Sequence, residues 1–146
     1  MLKSKIRNKL LKTRKNSNKK NIQIKFDKIY KLLKKTTNLR NKIVGGYYPV
    51  NYEIDDLNIL GRLEKKKITI SLPSIKKNYK MNFIKCSLNA PFVLNQYGIP
   101  EPSSGTVVNP DILLVPLVAF DKNLNRLGYG AGYYDRVIVS LKKKKK

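Results

Sequence analysis

The sequence predicts an α/β fold of three layers, a mainly parallel open sheet flanked by helices. Three observations carry this. Strand-like and helix-like patterns alternate along the chain instead of falling into separate blocks. Ile112 to Val115 is an unbroken apolar run closed by Pro116, as expected of a parallel strand buried on both faces. The chain has 146 residues, 41% of them hydrophobic, enough for the core of one domain spanning 1–146.

The elements follow in order. Residues 2–15 read as a basic amphipathic helix with Leu2, Ile6 and Leu10 at helical spacing. Ser17 suits the cap of a second helix to about Lys35, with Ile22, Phe26, Ile29, Tyr30 and Leu33 as its apolar stripe. Ile43 to Tyr48 reads as a strand ending at Pro49. Asp55 and Asp56 suit a helix start, where carboxylates complement the dipole; Ile54, Leu57, Leu60 and Leu63 carry that helix towards Lys66. Ile68 to Leu72 is a β-branched strand stopped by Pro73, and Met81 to Ser87 is another. Residues 88–110, with four prolines and Gly105, read as a long loop of the functional kind. After Pro116 a further apolar piece runs to Phe120. Residues 121–133 read as a glycine-bearing loop, and Tyr134 to Leu141 begins a helix.

The net charge is +23, from 32 Lys+Arg against 9 Asp+Glu. Such a charge first suggests nucleic acid. Its position argues otherwise: residues 1–42 carry +15, the lysines 142–146 carry +5, and 43–141 carry only +3. Only six of the basic residues are Arg, the usual reader of phosphates and base edges. Abundant Lys, Asn and Ile fit an A/T-rich genome. No apolar run approaches the roughly 18 residues of a membrane span. The start lacks the apolar segment of a secretory signal; it imitates a transit peptide and reads equally as a helix. One cysteine, Cys86, excludes an internal disulfide and fits a reducing, cytoplasmic setting. The absence of His removes Ser-His and Cys-His catalysis and every His-based metal site.

The informative segment is Arg126-Leu-Gly-Tyr-Gly-Ala-Gly-Tyr-Tyr-Asp-Arg136. Alternating Gly128, Gly130 and Gly132 let the backbone take positive φ and let a ligand come close. Successive N–H groups can then cradle anionic oxygens. The segment follows a strand and opens a helix, whose N-terminus also favours phosphate. Arg126 and Arg136 flank it, and Asp135 offers oxygen to a magnesium ion. It matches neither the dinucleotide fingerprint nor the Walker loop.

Together with Val115-Pro-Leu-Val-Ala-Phe-Asp121, this string resembles the signature of the 5-formyltetrahydrofolate cyclo-ligases, or 5,10-methenyltetrahydrofolate synthetases. Further pieces follow in the family's order: Lys3-Ser-Lys-Ile-Arg7, Tyr47-Tyr-Pro-Val-Asn-Tyr-Glu53, Leu72-Pro73, Met81 to Phe83 and Gly98 to Pro102. The resemblance implies ATP- and Mg²⁺-dependent closure of 5-formyltetrahydrofolate to 5,10-methenyltetrahydrofolate, with ADP and phosphate released. It implies ATP binding by Lys3, Ser4, Lys5, Ile6 and Arg7 and by Arg126, Leu127, Gly128, Tyr129, Gly130, Ala131, Gly132, Tyr133 and Tyr134. It puts Mg²⁺ at Asp135 and the folate at Tyr48 and Glu53, the latter accepting from the pterin amino groups. Arg126, Lys3 and Arg7 would meet the charge of the transferred phosphoryl group, with donors from the glycine loop. The chemistry needs no protein nucleophile, so a chain without His can perform it.

On the residues alone, blander readings stand. Lys3 and Arg7 are solvated charges, Glu53 is a helix-start carboxylate, Tyr133 and Tyr134 are packing residues, and Asp135 pairs with Arg136. The chain departs from the family at Ala131, where Gly or Lys is frequent, and at its end. Family members continue through further strands, whereas this sequence closes on Lys142 to Lys146. The reading is of a C-terminally truncated cyclo-ligase whose lysine run marks a frameshift. An inactive truncated cyclo-ligase and a small basic nucleic-acid-binding protein are the alternatives. The expected enzyme is a monomer with no nucleic-acid or membrane partner.

Overall fold

The computed structural model of the chain describes residues 2–17 and 22–144. Its elements are α1 (Leu2–Ser17), α2 (Phe26–Thr36), β1 (Ile43–Gly45), α3 (Leu57–Lys65), β2 (Thr69–Lys76), β3 (Lys80–Cys86), β4 (Phe92–Leu94), β5 (Pro100–Pro102), β6 (Val107–Val108), β7 (Ile112–Leu113), β8 (Ala119–Phe120), β9 (Arg126–Leu127) and α4 (Tyr133–Lys144). A five-stranded sheet has the order β6-β3-β2-β1-β7. β1 is parallel to both β2 and β7, with Val44 opposite Ile70 and Ile112. β3 is antiparallel to β2, and β6 is antiparallel to β3. β6 therefore runs with β1, β2 and β7, and β3 alone is reversed, so the mainly parallel α/β sheet forms as expected.

Side-chain alternation sorts the two faces. Ile70 and Leu72 of β2 join Val44, Leu60, Leu63 and Phe26 in the core beneath α2 and α3. Each fully buried aliphatic side chain there contributes about 1.5–3 kcal/mol. Phe83 lies opposite Pro73 and so on the other face, where its ring meets that of Tyr134 in α4, centroids 6.4 Å apart. Helices thus cover both faces.

Several boundaries differ from expectation, each for a physical reason. Ser17 closes α1 and does not cap α2, which begins at Phe26; the intervening residues 18–21 lie outside the described ones. Ile22 is 67% exposed, so the stripe is Phe26, Ile29, Tyr30 and Leu33. Helix α1 meets the body through Arg7, Leu10, Leu11 and Arg14, an i, i+3, i+4, i+7 set, and leaves Leu2 72% and Ile6 40% exposed. Its arginines find carbonyl acceptors there, which turns the helix away from the face its aliphatic residues alone define. In α3, Ile59 is buried and Ile54 is left outside, exposed.

Strand β1 ends at Gly45, short of Tyr48, because the Tyr47 N–H donates to Asp56 Oδ2 instead of to a strand (3.0 Å). Strand β2 runs through Pro73. β1 pairs only with Thr69–Ser71, so beyond them one edge of β2 is unpaired and tolerates a residue without N–H. Residues 88–110 are not one loop: β4 and β5 form a hairpin whose turn uses Gly98 at φ 70°, and β6 joins the sheet. The run Ile112 to Val115 supplies only the two-residue β7, half-buried because it has a strand on one side only. Within 121–133, β9 pairs with β8.

Candidate functional site

The turns that follow β1, β2 and β7 open at their carboxyl ends, where ligands bind in open α/β sheets. They surround a cavity of about 620 Å³. Tyr48 and Glu53 enter it from the turn after β1, Ile75 from the end of β2 and Pro116 from beyond β7. Tyr97 and Ile99 come from the β4–β5 turn, Gly128 to Gly132 from the loop between β9 and α4, and Arg7 from α1. The volume lies within the usual range of small-molecule sites.

The glycine loop is shaped by its backbone. Gly130 and Gly132 have φ of 111° and 71°, values that side chains other than glycine seldom adopt. A methyl group at Gly130 would meet the Arg7 guanidinium at an ordinary 3.5 Å, so the obstacle there is conformational and not spatial. Gly130→Ala should therefore distort the loop, costing about 1–3 kcal/mol of strain. The expected result is a nucleotide Kd raised about tenfold or more by calorimetry. An unchanged Kd would separate the loop from nucleotide binding.

Two arginines fix the loop's ends. Arg7 Nε donates to the Gly128 carbonyl (2.7 Å). Arg126 Nη1 donates to the Pro116 carbonyl (3.0 Å), and its Nη2 pairs with Asp135. Asp135 thus pairs with Arg126 and not with Arg136, whose Nη2 donates to Ala131 O and whose Nε donates to Tyr79 O. Tyr97 and Tyr133 hold their hydroxyls 3.1 Å apart, joining the β4–β5 turn to the glycine loop. Glu101 anchors that hairpin to β2, accepting from Ser74 Oγ and the Ile75 N–H at 3.0 Å each.

The other side of the cavity carries Glu53 and Tyr48. Glu53 Oε2 accepts from the Val50 N–H (2.8 Å). Burial raises the pKa of this carboxyl, opposed by that N–H, the Tyr129 hydroxyl and the Arg14 guanidinium. The Tyr48 ring leans on Phe92, centroids 6.2 Å apart. Tyr134 donates to the Gly46 carbonyl (3.3 Å), and burial holds its phenol well above the usual range. It packs and lines at once.

The expected site residues divide by place. Arg7, Tyr48, Glu53, Arg126, Gly128, Tyr129, Gly130, Ala131, Gly132, Tyr133, Tyr134 and Asp135 line one cavity. Lys3, Ser4, Lys5 and Ile6 lie exposed on the first turns of α1, outside its lining, and Leu127 sits in β9, pairing with Ala119. Sequence reasoning missed Arg14, which reaches Tyr129, and the hairpin residues Asn95, Tyr97 and Ile99. The seven-residue spacing of Arg7 and Arg14, two helical turns, was the available signal.

Among the described residues, no three Asp, Glu, His or Cys side chains gather in a metal-binding cluster. Asp135 is an exposed carboxylate beside the glycine loop, paired with Arg126. That fits Mg²⁺, which is held through one or two carboxylates, phosphate oxygens and water. No helix among the described residues is long and apolar enough to cross a membrane.

Fold and site define an α/β protein whose glycine loop, two arginines and a glutamate line one cavity at the carboxyl ends of the strands. The profile of the 5-formyltetrahydrofolate cyclo-ligase family matches residues 1–146, and the chain belongs to that family. The 5-formyltetrahydrofolate cyclo-ligase of Haemophilus influenzae is 35% identical over 111 residues, covering 70% of this chain and 59% of that protein. The Mycoplasma genitalium cyclo-ligase is 34% identical over 102 residues, covering 67% of this chain and 52% of that one. The matches thus span little more than half the length of these relatives. The solved structure of Aquifex aeolicus 5,10-methenyltetrahydrofolate synthetase superposes with a TM-score of 0.75 at 31% identity, covering 95% of this chain and 73% of that one. The Mycoplasma pneumoniae synthetase shares the fold, with a TM-score of 0.60 over 95% of this chain and 78% of that one.

Proposed function

We infer that the chain binds ATP and 5-formyltetrahydrofolate in this one cavity and closes the folate to 5,10-methenyltetrahydrofolate, releasing ADP and phosphate. One observation carries the reading. The glycine loop with Arg7 and Arg126 lines one side, and Tyr48 with Glu53 lines the other, in a single space of about 620 Å³.

The formyl oxygen attacks the γ-phosphorus, ADP leaves, and the formyl carbon becomes electrophilic. The N10 lone pair attacks that carbon, phosphate departs with the former formyl oxygen, and the N10 proton passes to solvent. The chain's task is positioning and charge. Loop N–H groups and Arg126 face the phosphoryl oxygens, and Arg7 holds the loop in register. Glu53 accepts from the pterin amino groups, and Tyr48 packs on the folate. Asp135 would be the residue to hold Mg²⁺, which would supply positive charge to the nucleotide phosphates.

The test supplies the protein with 5-formyltetrahydrofolate, ATP and Mg²⁺. New near-ultraviolet absorbance from the methenyl product, matched by equimolar ADP, is the expected result. A folded protein that gives neither would overturn the reading.

A further inference from the structure

The glycine loop is held through its carbonyls by arginines from two different helices. Arg7 Nε, from α1, donates to the Gly128 carbonyl (2.7 Å), and Arg136 Nη2, from the first turn of α4, donates to the Ala131 carbonyl (2.6 Å). Arg136 is itself anchored on the sheet. Its Nε donates to the Tyr79 carbonyl (3.2 Å) in the turn between β2 and β3, strands that pair from Ile70 opposite Cys86 to Lys76 opposite Lys80. Its guanidinium carbon lies 5.8 Å from the Tyr79 ring centroid and 5.5 Å from that of Tyr133. At that range cation–π attraction adds to the hydrogen bonds. A Cβ at Gly132 would stand 2.8 Å from Arg136 Nη1, so the guanidinium sits against that glycine's backbone.

The C=O and N–H of one trans peptide unit point in opposite directions. The described chain has no cis peptide, so an Ala131 carbonyl turned towards Arg136 turns the Gly132 N–H away from it. Arg136 lines a smaller cavity beside β3 and α4, whereas Gly132 lines the larger one. Among the described residues, no acceptor takes the N–H groups of Tyr129, Gly130, Ala131 or Gly132.

We propose that Arg136 is a positioning residue that, by holding the Ala131 carbonyl, aims the Gly132 N–H at the nucleotide phosphates; this rests on the cyclo-ligase reading. Its own charge stays with the Tyr79 and Tyr133 rings, outside the larger cavity, and acts on the nucleotide only through the peptide it turns.

The experiment uses Arg136→Ala and Arg136→Lys, at an exposed position whose replacement leaves the core intact. Calorimetry measures ATP with Mg²⁺ and 5-formyltetrahydrofolate separately. The residual dipolar coupling of the Gly132 amide, measured by NMR without ligand, reads the direction of that N–H. Arg136→Ala should raise the ATP Kd about tenfold, the loss of one hydrogen bond to a charged group, while the folate Kd changes less than twofold. The Gly132 coupling should change with it. Arg136→Lys keeps the charge, but a lone ammonium cannot hold the Ala131 and Tyr79 carbonyls in one plane, so it should recover only part of the affinity. An unchanged ATP Kd overturns the proposal, and so does an equal loss of folate affinity. An unmoved Gly132 coupling, or full recovery by lysine, overturns it too, because charge alone would then account for binding. Wild-type protein that binds folate but no ATP overturns the cyclo-ligase reading itself and removes Arg136 from this role.

Discussion

Replacing Arg126 by alanine should lower turnover about 10²–10³-fold at saturating folate, the range for loss of one preorganised donor to a developing anion. The side chain is half-buried, with one nitrogen on the Pro116 carbonyl and another on Asp135. Those two anchors hold the guanidinium beside Gly128, so in the proposed reaction its charge would be in place before the phosphoryl group moves. The same contacts contribute little to folding. Asp135 is 71% exposed, and a pair so open to water is worth at most about 1 kcal/mol. Stability and turnover should therefore separate: thermal unfolding shifts by a few degrees while kcat collapses. Arg126→Lys sharpens the point, because a lone ammonium cannot span Pro116 and Asp135 and should recover only part of the rate. Steady-state kinetics beside a thermal melt checks both. Turnover unchanged in Arg126→Ala removes the residue from the phosphoryl-transfer role.

The sequence told most where chemistry and chain order coincide. The glycine loop, its flanking arginines and Tyr134 lie within eleven consecutive residues, so one string displayed most of one wall of the cavity. The alternation of strands and helices was equally plain, because Val44, Ile70 and Leu72 occupy segments whose burial leaves an apolar trace. Contacts that depend on long-range geometry left no such trace. Arg14 meets Tyr129 across 115 residues, and a lysine-rich helix hides this arginine among solvated charges. The β4–β5 hairpin was hidden for the opposite reason. Pro100 and Pro102 punctuate like loop residues, yet a two-stranded ribbon has outer edges where a missing N–H costs nothing. In α1 the aliphatic spacing points to a face that includes Leu2 and Ile6, whereas Arg7 and Arg14, through their carbonyl acceptors, set the face that meets the body.

Asp56→Asn should make the protein more stable at pH 8 and less stable at pH 4, by about 1–3 kcal/mol in each direction. Asp56 begins α3, is 1% exposed, and has one carboxyl oxygen on the Tyr47 N–H and the other without a hydrogen-bond partner. Burial pushes its pKa up to about 7, aided by Asp55 and Glu53 and opposed by the Tyr47 N–H. In the unfolded chain the group titrates near 3.9. Between these values the folded chain holds a proton that the unfolded chain has released, so stability falls as pH rises. The contribution is whole below about pH 4 and gone above about pH 7. Three pKa units correspond to on the order of 4 kcal/mol. The asparagine oxygen can still accept from Tyr47, and no charge is buried at any pH. An unpartnered amide hydrogen costs about 1–3 kcal/mol, which leaves a net gain on the order of 1–3 kcal/mol at pH 8. Urea unfolding of both proteins at pH 4 and pH 8 reads the difference, in which contributions from other titrating groups cancel. Parallel pH profiles for the two proteins would show that Asp56 is ionised throughout. The contrast with Glu53 is what gives the result functional weight. Two carboxyls lie within four residues of each other, one with its unpaired oxygen sealed behind the cavity and one with lone pairs open to it. Neutralising the first should stabilise the turn that carries Tyr48 at pH 8, while neutralising the second, by Glu53→Gln, should weaken folate binding at every pH where the carboxylate exists.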